Sequence, residues 1–312
     1  MLSVPTPFDL HVVVHGHGWF DLAPHTWLPA PRRFETAIQV GRQVADVGIR
    51  EHPRGILATV ATRRSLARAE RARAAKSLAR MLRSDDDLEP FWARCRASPM
   101  LAWVPRRGAG RLLRSPSLFE DLFKILATTN CSWAATRGMI SRVVEALGAP
   151  APSGRRAFPT AAACARQPER FYRQVVRAGY RARAMRDLAV AFASGRVPTA
   201  DFEAADLPTD DLRARLLALS GFGPYAAGQA MRLLGRYDDL ALDAWCRAEL
   251  ASRRPRGRPP TDRAIERAYS SFGPFRGLAL WMDLTARWHG EPAAPAPATG
   301  APNASDAAFP WP

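Results

Sequence analysis

The feature that most constrains the fold is a tight turn, Gly221-Phe-Gly-Pro224, which follows a helical pattern at Thr209–Leu219. Two glycines around one apolar residue permit positive φ angles and leave backbone N–H groups unshielded, because glycine has no Cβ. Pro224 suits the first position of a second helix. The N–H groups then point outward at a positive helix end, which can bind a phosphate oxygen. The same spacing occurs in ordinary turns between helices, so the turn alone leaves both interpretations open.

A lone carboxylate, Asp243, follows this turn after the apolar residues Leu240-Ala-Leu. The residues after it, Ala-Trp-Cys-Arg-Ala-Glu-Leu, predict that Asp243 is the N-cap of another helix. An N-cap position holds a carboxylate rigidly. A structural role and a chemical role are therefore compatible for this residue.

The net charge indicates a polyanionic partner. The 312 residues include 45 Lys and Arg against 29 Asp and Glu, which gives a net charge of +16 and a pI near 11.1. Contacts between these bases and phosphates would make binding strongly dependent on salt. Only Lys76 and Lys124 are lysines, a bias typical of a GC-rich genome. That bias explains Arg in place of Lys, but not the excess of bases over acids.

No sequence signature of a membrane span or a metal cluster is present. No apolar run reaches the about 18 residues that span a bilayer, and the N-terminus lacks a signal-peptide pattern. We therefore expect a cytoplasmic, nucleoid-associated bacterial protein that acts as a monomer. The cysteines at 95, 131, 164 and 246 lack the spacings of zinc or iron–sulfur sites. His11, His15 and His17 could share one strand face, but without a convincing fourth ligand we predict no metal site.

The hydrophobic pattern changes along the chain. Residues 1–62 contain β-branched runs such as Leu10–His15 and Phe34–Val40, which predict an antiparallel sheet with strands at about 8–62. From Ser65 to about His289 the pattern is helical, and residues 291–312, rich in Pro and Ala, are predicted to be disordered. We predict a mainly α fold with an N-terminal antiparallel β region, divided into an α+β domain at 1–110 and a helical domain at 111–290.

Two turns between predicted helices carry candidate functional side chains. Ser117 and Glu120 form a capping-box pattern that begins a helix, and Asn130 falls just past the end of that helix. Another helix ends at Gly179, so Tyr180 and Arg181 also lie at a turn. Such side chains can face one cleft, although Asn130 could be only a C-cap and Arg181 only a surface arginine.

The turn and Asp243, 18 positions after Tyr225, together resemble the hairpin and Gly/Pro–Asp loop of the helix-hairpin-helix DNA glycosylase superfamily. In the same order, further segments resemble parts of the 3-methyladenine DNA glycosylase II and 8-oxoguanine DNA glycosylase branches; they begin at Ser115, Thr129, Ala178 and Phe272. The resemblance implies a two-lobed helical glycosylase fold with the motif at about 209–235. It also implies base-excision repair of duplex DNA, in which a damaged base is flipped out and its N-glycosidic bond is hydrolysed. The four-cysteine loop of the endonuclease III-like relatives is missing, so no iron–sulfur cluster is expected.

The resemblance also assigns roles to single residues. Asp243 matches the catalytic carboxylate, which would stabilise positive charge on the sugar and orient water. The residues that match the DNA-backbone clamp are Gly221, Phe222, Gly223 and Tyr225. Asn130 matches the residue that fills the gap left by the base, while Tyr180 and Arg181 match the wedge and the reader of the estranged base. The base pocket would include Trp133, Gln229, Trp245 and Arg276, although the two tryptophans could equally be core.

Bifunctional relatives place a Lys at the position of Tyr225, and its amine forms a Schiff base with the sugar. The resemblance therefore implies a monofunctional enzyme without lyase activity. It requires no cofactor, although the hairpin carbonyls of relatives can hold a Na⁺ or K⁺. The segments mix features of both branches, so the lesion, an alkylated or oxidised purine, stays open. The alternative is a non-catalytic helix-hairpin-helix protein that binds DNA or senses damage, but a carboxylate facing phosphates would weaken such binding.

Overall fold

The computed structural model describes residues 1–254, 257 and 260–292. Its N-terminal part is built around a four-stranded sheet in the order β1-β2-β3-β4, with all neighbours antiparallel. The predicted antiparallel sheet is therefore confirmed. A short helix, α1 (Leu10–Val14), precedes these strands: β1 (Thr26–Leu28), β2 (Arg33–Val40), β3 (Gln43–His52) and β4 (Gly55–Ala61).

The predicted strand at Leu10–His15 is wrong, because α1 occupies this segment. The Asp9 carboxylate caps the helix by accepting a hydrogen bond from the Val12 backbone N–H at 3.2 Å. His11 and His15 lie one helical turn apart and stack with ring centroids 4.0 Å apart. A short buried apolar run fits a helix as well as a strand, so periodicity could not decide. His17 lies beyond the helix, and the three histidines share no strand face.

The rest of the described chain is helical, as predicted from Ser65 to His289. Short 3-10 turns, including Gly18–Asp21 and Gly179–Arg181, connect some of the helices. The helices are α2 (Arg68–Leu82), α3 (Glu89–Arg96), α4 (Trp103–Arg107), α5 (Leu118–Thr128), α6 (Trp133–Leu147), α7 (Ala161–Ala165), α8 (Glu169–Gln174), α9 (Ala182–Ala193), α10 (Ala200–Glu203), α11 (Thr209–Leu217), α12 (Pro224–Leu233), α13 (Ala244–Ser252), α14 (Asp262–Tyr269) and α15 (Arg276–Thr285).

A buried polar network joins α5 to the sheet. Ser117 caps α5 as predicted, with its Oγ accepting from the Glu120 N–H at 3.3 Å. The Glu120 carboxylate, however, turns inward and binds Lys124 Nζ at 2.6 Å. Lys124 is fully buried and also contacts His25 Nε2 at 3.2 Å, while His25 Nδ1 lies 2.8 Å from Thr36 Oγ1 on β2. Burial holds the pKa of His25 well below its usual value, so its neutral ring can accept from Lys124.

One hydrophobic cluster extends from Leu10 to Ala286 and includes side chains of the sheet and of the helices. The predicted domain boundary at residue 110 stays a prediction. The predicted disordered tail at 291–312 lies outside the described residues beyond Pro292. Within the described part of the chain, each helix is too short or too polar to cross a membrane.

The start of α15 packs directly against the loop between α12 and α13. Gly277 donates its backbone N–H to the Tyr237 carbonyl at 2.7 Å. A Cβ at Gly277 would lie 2.0 Å from the Asp239 carbonyl oxygen and 2.8 Å from that of Tyr237. Only glycine therefore permits this approach of helix and loop.

We expect Gly277→Ala to lower the free energy of unfolding by about 2 kcal/mol, because the added methyl group must push two backbone segments apart. Gly138→Ala is the matched control within helix α6, since its Cβ would meet only the flexible end of Arg142, at 3.3 Å. That control should stabilise the protein by about 0.5–1 kcal/mol through lower backbone entropy in the unfolded state. Urea denaturation measures both changes. Equal stability of the two variants would contradict the interpretation.

Candidate active site

Helices α11 and α12 form the predicted hairpin. Gly221 adopts φ +81°, which favours glycine, and Gly223 is the extended N-cap residue before Pro224. Both glycines are exposed, whereas the Phe222 ring between them is buried in the core. Phe222 therefore anchors the turn, and any contact of this residue with a phosphate must come from its backbone.

Asp243 is the N-cap of α13, as predicted. Its Oδ1 accepts from the Cys246 backbone N–H at 2.6 Å. The preceding loop is fixed by Arg232 on α12, whose Nη2 donates to the Leu240 carbonyl at 2.8 Å, and by the contact of Gly277 with Tyr237. Hydrogen bonds that precede and follow Asp243 in the chain thus fix the position of its carboxylate.

Asp243 lines a cavity of about 390 Å³ whose wall is formed by residues of α5, α6, α12, α13 and α15 and by the N-terminal segment around Gly18. The structure brings several predicted site residues to this cavity: Asn130, Trp133, Tyr225, Gln229, Asp243 and Trp245. The sequence analysis did not identify the other lining residues, which are His17, Gly18, Trp19, Ile125, Thr128, Cys131, Ser132, Thr136, Ala244 and Trp281. The cavity therefore depends on residues from both ends of the chain.

The Tyr225 side chain lies in this cavity with Asp243, rather than with the exposed backbone of the hairpin turn. Its hydroxyl is 3.4 Å from Thr128 Oγ1. Burial raises the pKa of Tyr225 to about 12, and the nearby Asp243 adds to this effect. The phenol therefore stays neutral at physiological pH, and its side chain lies away from the backbone clamp to which it was assigned.

Arg276, predicted to line the base pocket, is the first residue of α15, and its Nε donates to the Asp238 carbonyl. Arg276 is not among the residues that line this cavity. Trp281, further along the same helix, lies in the wall. The role of Arg276 in binding a base stays a prediction.

Tryptophan rings form much of the cavity wall, and each is held in place by packing or a hydrogen bond. Trp133 donates Nε1 to Asp21 Oδ2 at 2.7 Å, and Trp245 packs against Trp281 with ring centroids 5.7 Å apart. Trp133 and Trp245 thus line the cavity and also pack against the hydrophobic core, and their role in binding a base stays a prediction. Such a wall suits a flat aromatic ligand.

The two predicted turns lie side by side at the edge of the cavity. Asn130, at φ +44°, follows α5 in the left-handed conformation, and its Nδ2 donates to the Tyr180 hydroxyl at 3.2 Å. Tyr180 is 63% exposed. Arg181 is only 8% exposed; its guanidinium lies 4.5 Å from the Tyr180 ring centroid and its Nε donates to Thr129 Oγ1 at 3.0 Å. Arg181 therefore supports Tyr180 here, whereas an estranged base could reach Tyr180 directly.

Solved structures share this arrangement of elements, although no family model and no curated protein matches the sequence. The 3-methyladenine DNA glycosylase from Archaeoglobus fulgidus superimposes with a TM-score of 0.71 at 16% identity, over 92% of this chain and 98% of that chain. The apo 8-oxoguanine glycosylase/lyase of Clostridium acetobutylicum gives a TM-score of 0.63 at 16% identity, over 86% and 93%. Its complex with double-stranded DNA containing cytosine opposite 8-oxoguanine also gives 0.63 at 16%, over 88% and 93%.

At these identities the likeness concerns the fold. It confirms the fold that the sequence resemblance implies, whereas the roles of single residues and an alkali-metal ion at the hairpin stay predictions. The chain has the mainly helical fold of the helix-hairpin-helix DNA glycosylases, with a four-stranded antiparallel sheet at its N-terminus.

Proposed function

We propose that the protein is a DNA N-glycosylase that removes a damaged purine, alkylated or oxidised, from duplex DNA by hydrolysis. The observation that carries this proposal is the position of Asp243. Its carboxylate is fixed at a helix start, opens into an aromatic cavity, and lies one helix beyond a hairpin turn with exposed glycines. Asp243 also caps α13, but in a protein that only binds DNA a carboxylate facing the phosphates would weaken binding by repulsion.

The surface around the cavity supports base flipping. A base inside a duplex cannot reach a carboxylate within a cavity, so it must leave the stack and its place must be filled. Tyr180 and Asn130 project at the edge of the cavity and are suited to enter the gap. The backbone N–H groups around Gly221 and Gly223 are suited to hold a phosphate of the same strand at the start of α12.

The reaction follows from the place of the carboxylate. As the bond between C1′ and the base nitrogen breaks, its electron pair leaves with the base and positive charge develops on the sugar. Asp243 would stabilise this charge and accept a proton from the water that adds to C1′. A departing base that was uncharged takes up a proton from solvent, and Asp243 returns its proton to solvent; the products are the free base and an abasic site in an intact strand.

The positions of the two lysines support hydrolysis of the base without strand cleavage. A lyase reaction needs an amine that can form a Schiff base with C1′. The cavity offers the neutral phenol of Tyr225 instead. Lys76 is exposed on α2, and Lys124 is buried in its ion pair with Glu120 and does not line the cavity.

Asp243→Asn is expected to slow base release by about 10²–10³-fold, since one fixed charge at the transition state is lost. Asn caps helices as well as Asp does, so the fold should be preserved. The measurement is single-turnover release from duplexes that each contain one damaged base, followed by alkaline cleavage. Asp262→Asn, a change in an exposed carboxylate paired with Arg247, is the matched control and should keep full activity. Full activity of Asp243→Asn would refute the mechanism, and wild-type protein that binds but releases no base would favour a damage sensor.

Borohydride should trap no covalent adduct between the wild-type protein and DNA that contains a lesion or an abasic site. A bifunctional glycosylase under the same conditions provides the positive control. Tyr225→Phe should keep base release within about threefold, because the phenol makes one weak contact among the described residues, with Thr128. A trapped adduct would show that an amine of this chain reaches C1′, contrary to the proposal.

A further inference from the structure

A buried cation lies behind the wall of the cavity. Arg232 is 1% exposed, and its guanidinium carbon is 4.8 Å from the centroid of the Trp281 ring. Within the described chain its hydrogen bonds go to neutral acceptors, Gln229 Oε1 at 3.1 Å and the Leu240 carbonyl at 2.8 Å. Burial lowers the pKa of Arg232, but a guanidinium remains protonated in proteins. A positive charge therefore lies directly against one tryptophan of the wall.

This charge alters what Trp281 can bind. The face of an indole ring attracts cations through its negative quadrupole. The Trp281 ring already interacts with the Arg232 guanidinium in this way. Arg232 would therefore repel a second cation that stacks on Trp281 in the cavity, across a medium of low dielectric constant. Among the described residues that line the cavity, Asp243 is the one carboxylate that could offset the repulsion.

A neutral polar side chain, His17, lies in the same wall. His17 is 6% exposed, and its ring packs edge-on against Trp19, with ring centroids 4.3 Å apart. The centroid of the His17 ring also lies 5.7 Å from that of the Trp281 ring. Burial, together with the charge of Arg232, lowers the pKa of His17 to about 3, so the ring is uncharged at neutral pH. His17 lines the cavity, and its Nδ1 is buried without a hydrogen-bond partner among the described residues. Depending on the tautomer, a ring nitrogen of the neutral imidazole donates or accepts.

The segment that carries His17 is held rigidly on both sides. Trp281 Nε1 donates to the Gly16 carbonyl at 2.8 Å, and Trp19 Nε1 donates to Asp121 Oδ1 at 2.9 Å. A Cβ at Gly16 would lie 2.5 Å from the Arg111 carbonyl oxygen, so the backbone at Gly16 packs closely against that of Arg111. A polar group held in this way loses little entropy when a ligand binds to it.

We infer that the cavity takes an uncharged purine, with a carbonyl or N–H group on the edge facing His17, in preference to a cationic N-alkylated purine, and that His17 is the specificity-determining residue. This inference rests on the proposed function and narrows it. The damaged base would stack within the tryptophan wall and form a hydrogen bond with the imidazole. A cationic base would meet Arg232 across Trp281.

The first test compares wild-type release of hypoxanthine or 8-oxoguanine, which are uncharged, with release of 7-methylguanine, which is cationic. Single-turnover rates at neutral pH are divided by the spontaneous rate of loss of each base. At least one uncharged base should show an enhancement at least tenfold above that of 7-methylguanine. Enhancement of 7-methylguanine alone would overturn this inference and leave the glycosylase proposal intact. Release of no base in a panel that also includes 3-methyladenine would overturn both.

The second test changes His17 itself. His17→Phe keeps the ring packing on Trp19 and removes the unpartnered nitrogen, so the thermal midpoint should not fall. Release of the preferred uncharged base should drop at least tenfold, while that of 7-methylguanine should stay within twofold. His15→Phe is the matched control, since His15 is a buried histidine outside the cavity wall. Folded His17→Phe that releases the uncharged base at the wild-type rate would overturn the role of His17.

A third variant separates the hydrogen bond of His17 from the packing of its ring. His17→Asn keeps a donor and an acceptor without the ring. It should retain more uncharged-base release per folded molecule than His17→Phe, with the folded fraction taken from circular dichroism. The opposite order would show that His17 acts through ring packing and would overturn the proposed hydrogen bond.

Discussion

The hydrogen bond from the Cys246 backbone to the Asp243 carboxylate is the contact on which the proposed chemistry depends. It places the carboxylate at the first residue before α13, and the loop before it is fastened by Arg232 and by the close approach of Gly277. The same Arg232 lies behind Trp281. One buried guanidinium therefore contributes both to the position of the Asp243 carboxylate and to the electrostatics of the cavity. Its two terminal nitrogens donate to the Gln229 side chain and the Leu240 carbonyl, while its Nε is buried without a hydrogen-bond partner among the described residues.

Features encoded in short stretches of sequence were predictable. The hairpin at Gly221 and Gly223 and the cap at Asp243 follow from local backbone requirements that few residue types meet. Helix α1 was not predicted, because a buried run of five residues shows no helical period. Asp9 was the available signal, since a carboxylate three residues before an apolar position is a typical N-cap pattern.

The N-terminal wall of the cavity could not be read from the sequence. His17 and Trp19 reach the cavity through contacts with Trp281 and Asp121, residues more than a hundred positions away. No local pattern encodes such a pairing. The cavity wall at α15 has a related cause: similarity of a segment indicates which helix forms a wall, but which side chain lines it, here Trp281, depends on how that helix is rotated against its neighbours.

The hydrogen bond between Trp281 and Gly16 joins residues 265 positions apart in the sequence. Because this bond holds α15 against the N-terminal segment, the cavity cannot form during synthesis until Trp281 has left the ribosome. Helices α11 and α12, which contact each other directly, end at Leu233 and therefore emerge earlier. A nascent chain of this protein would therefore display its hairpin turn before the cavity can close.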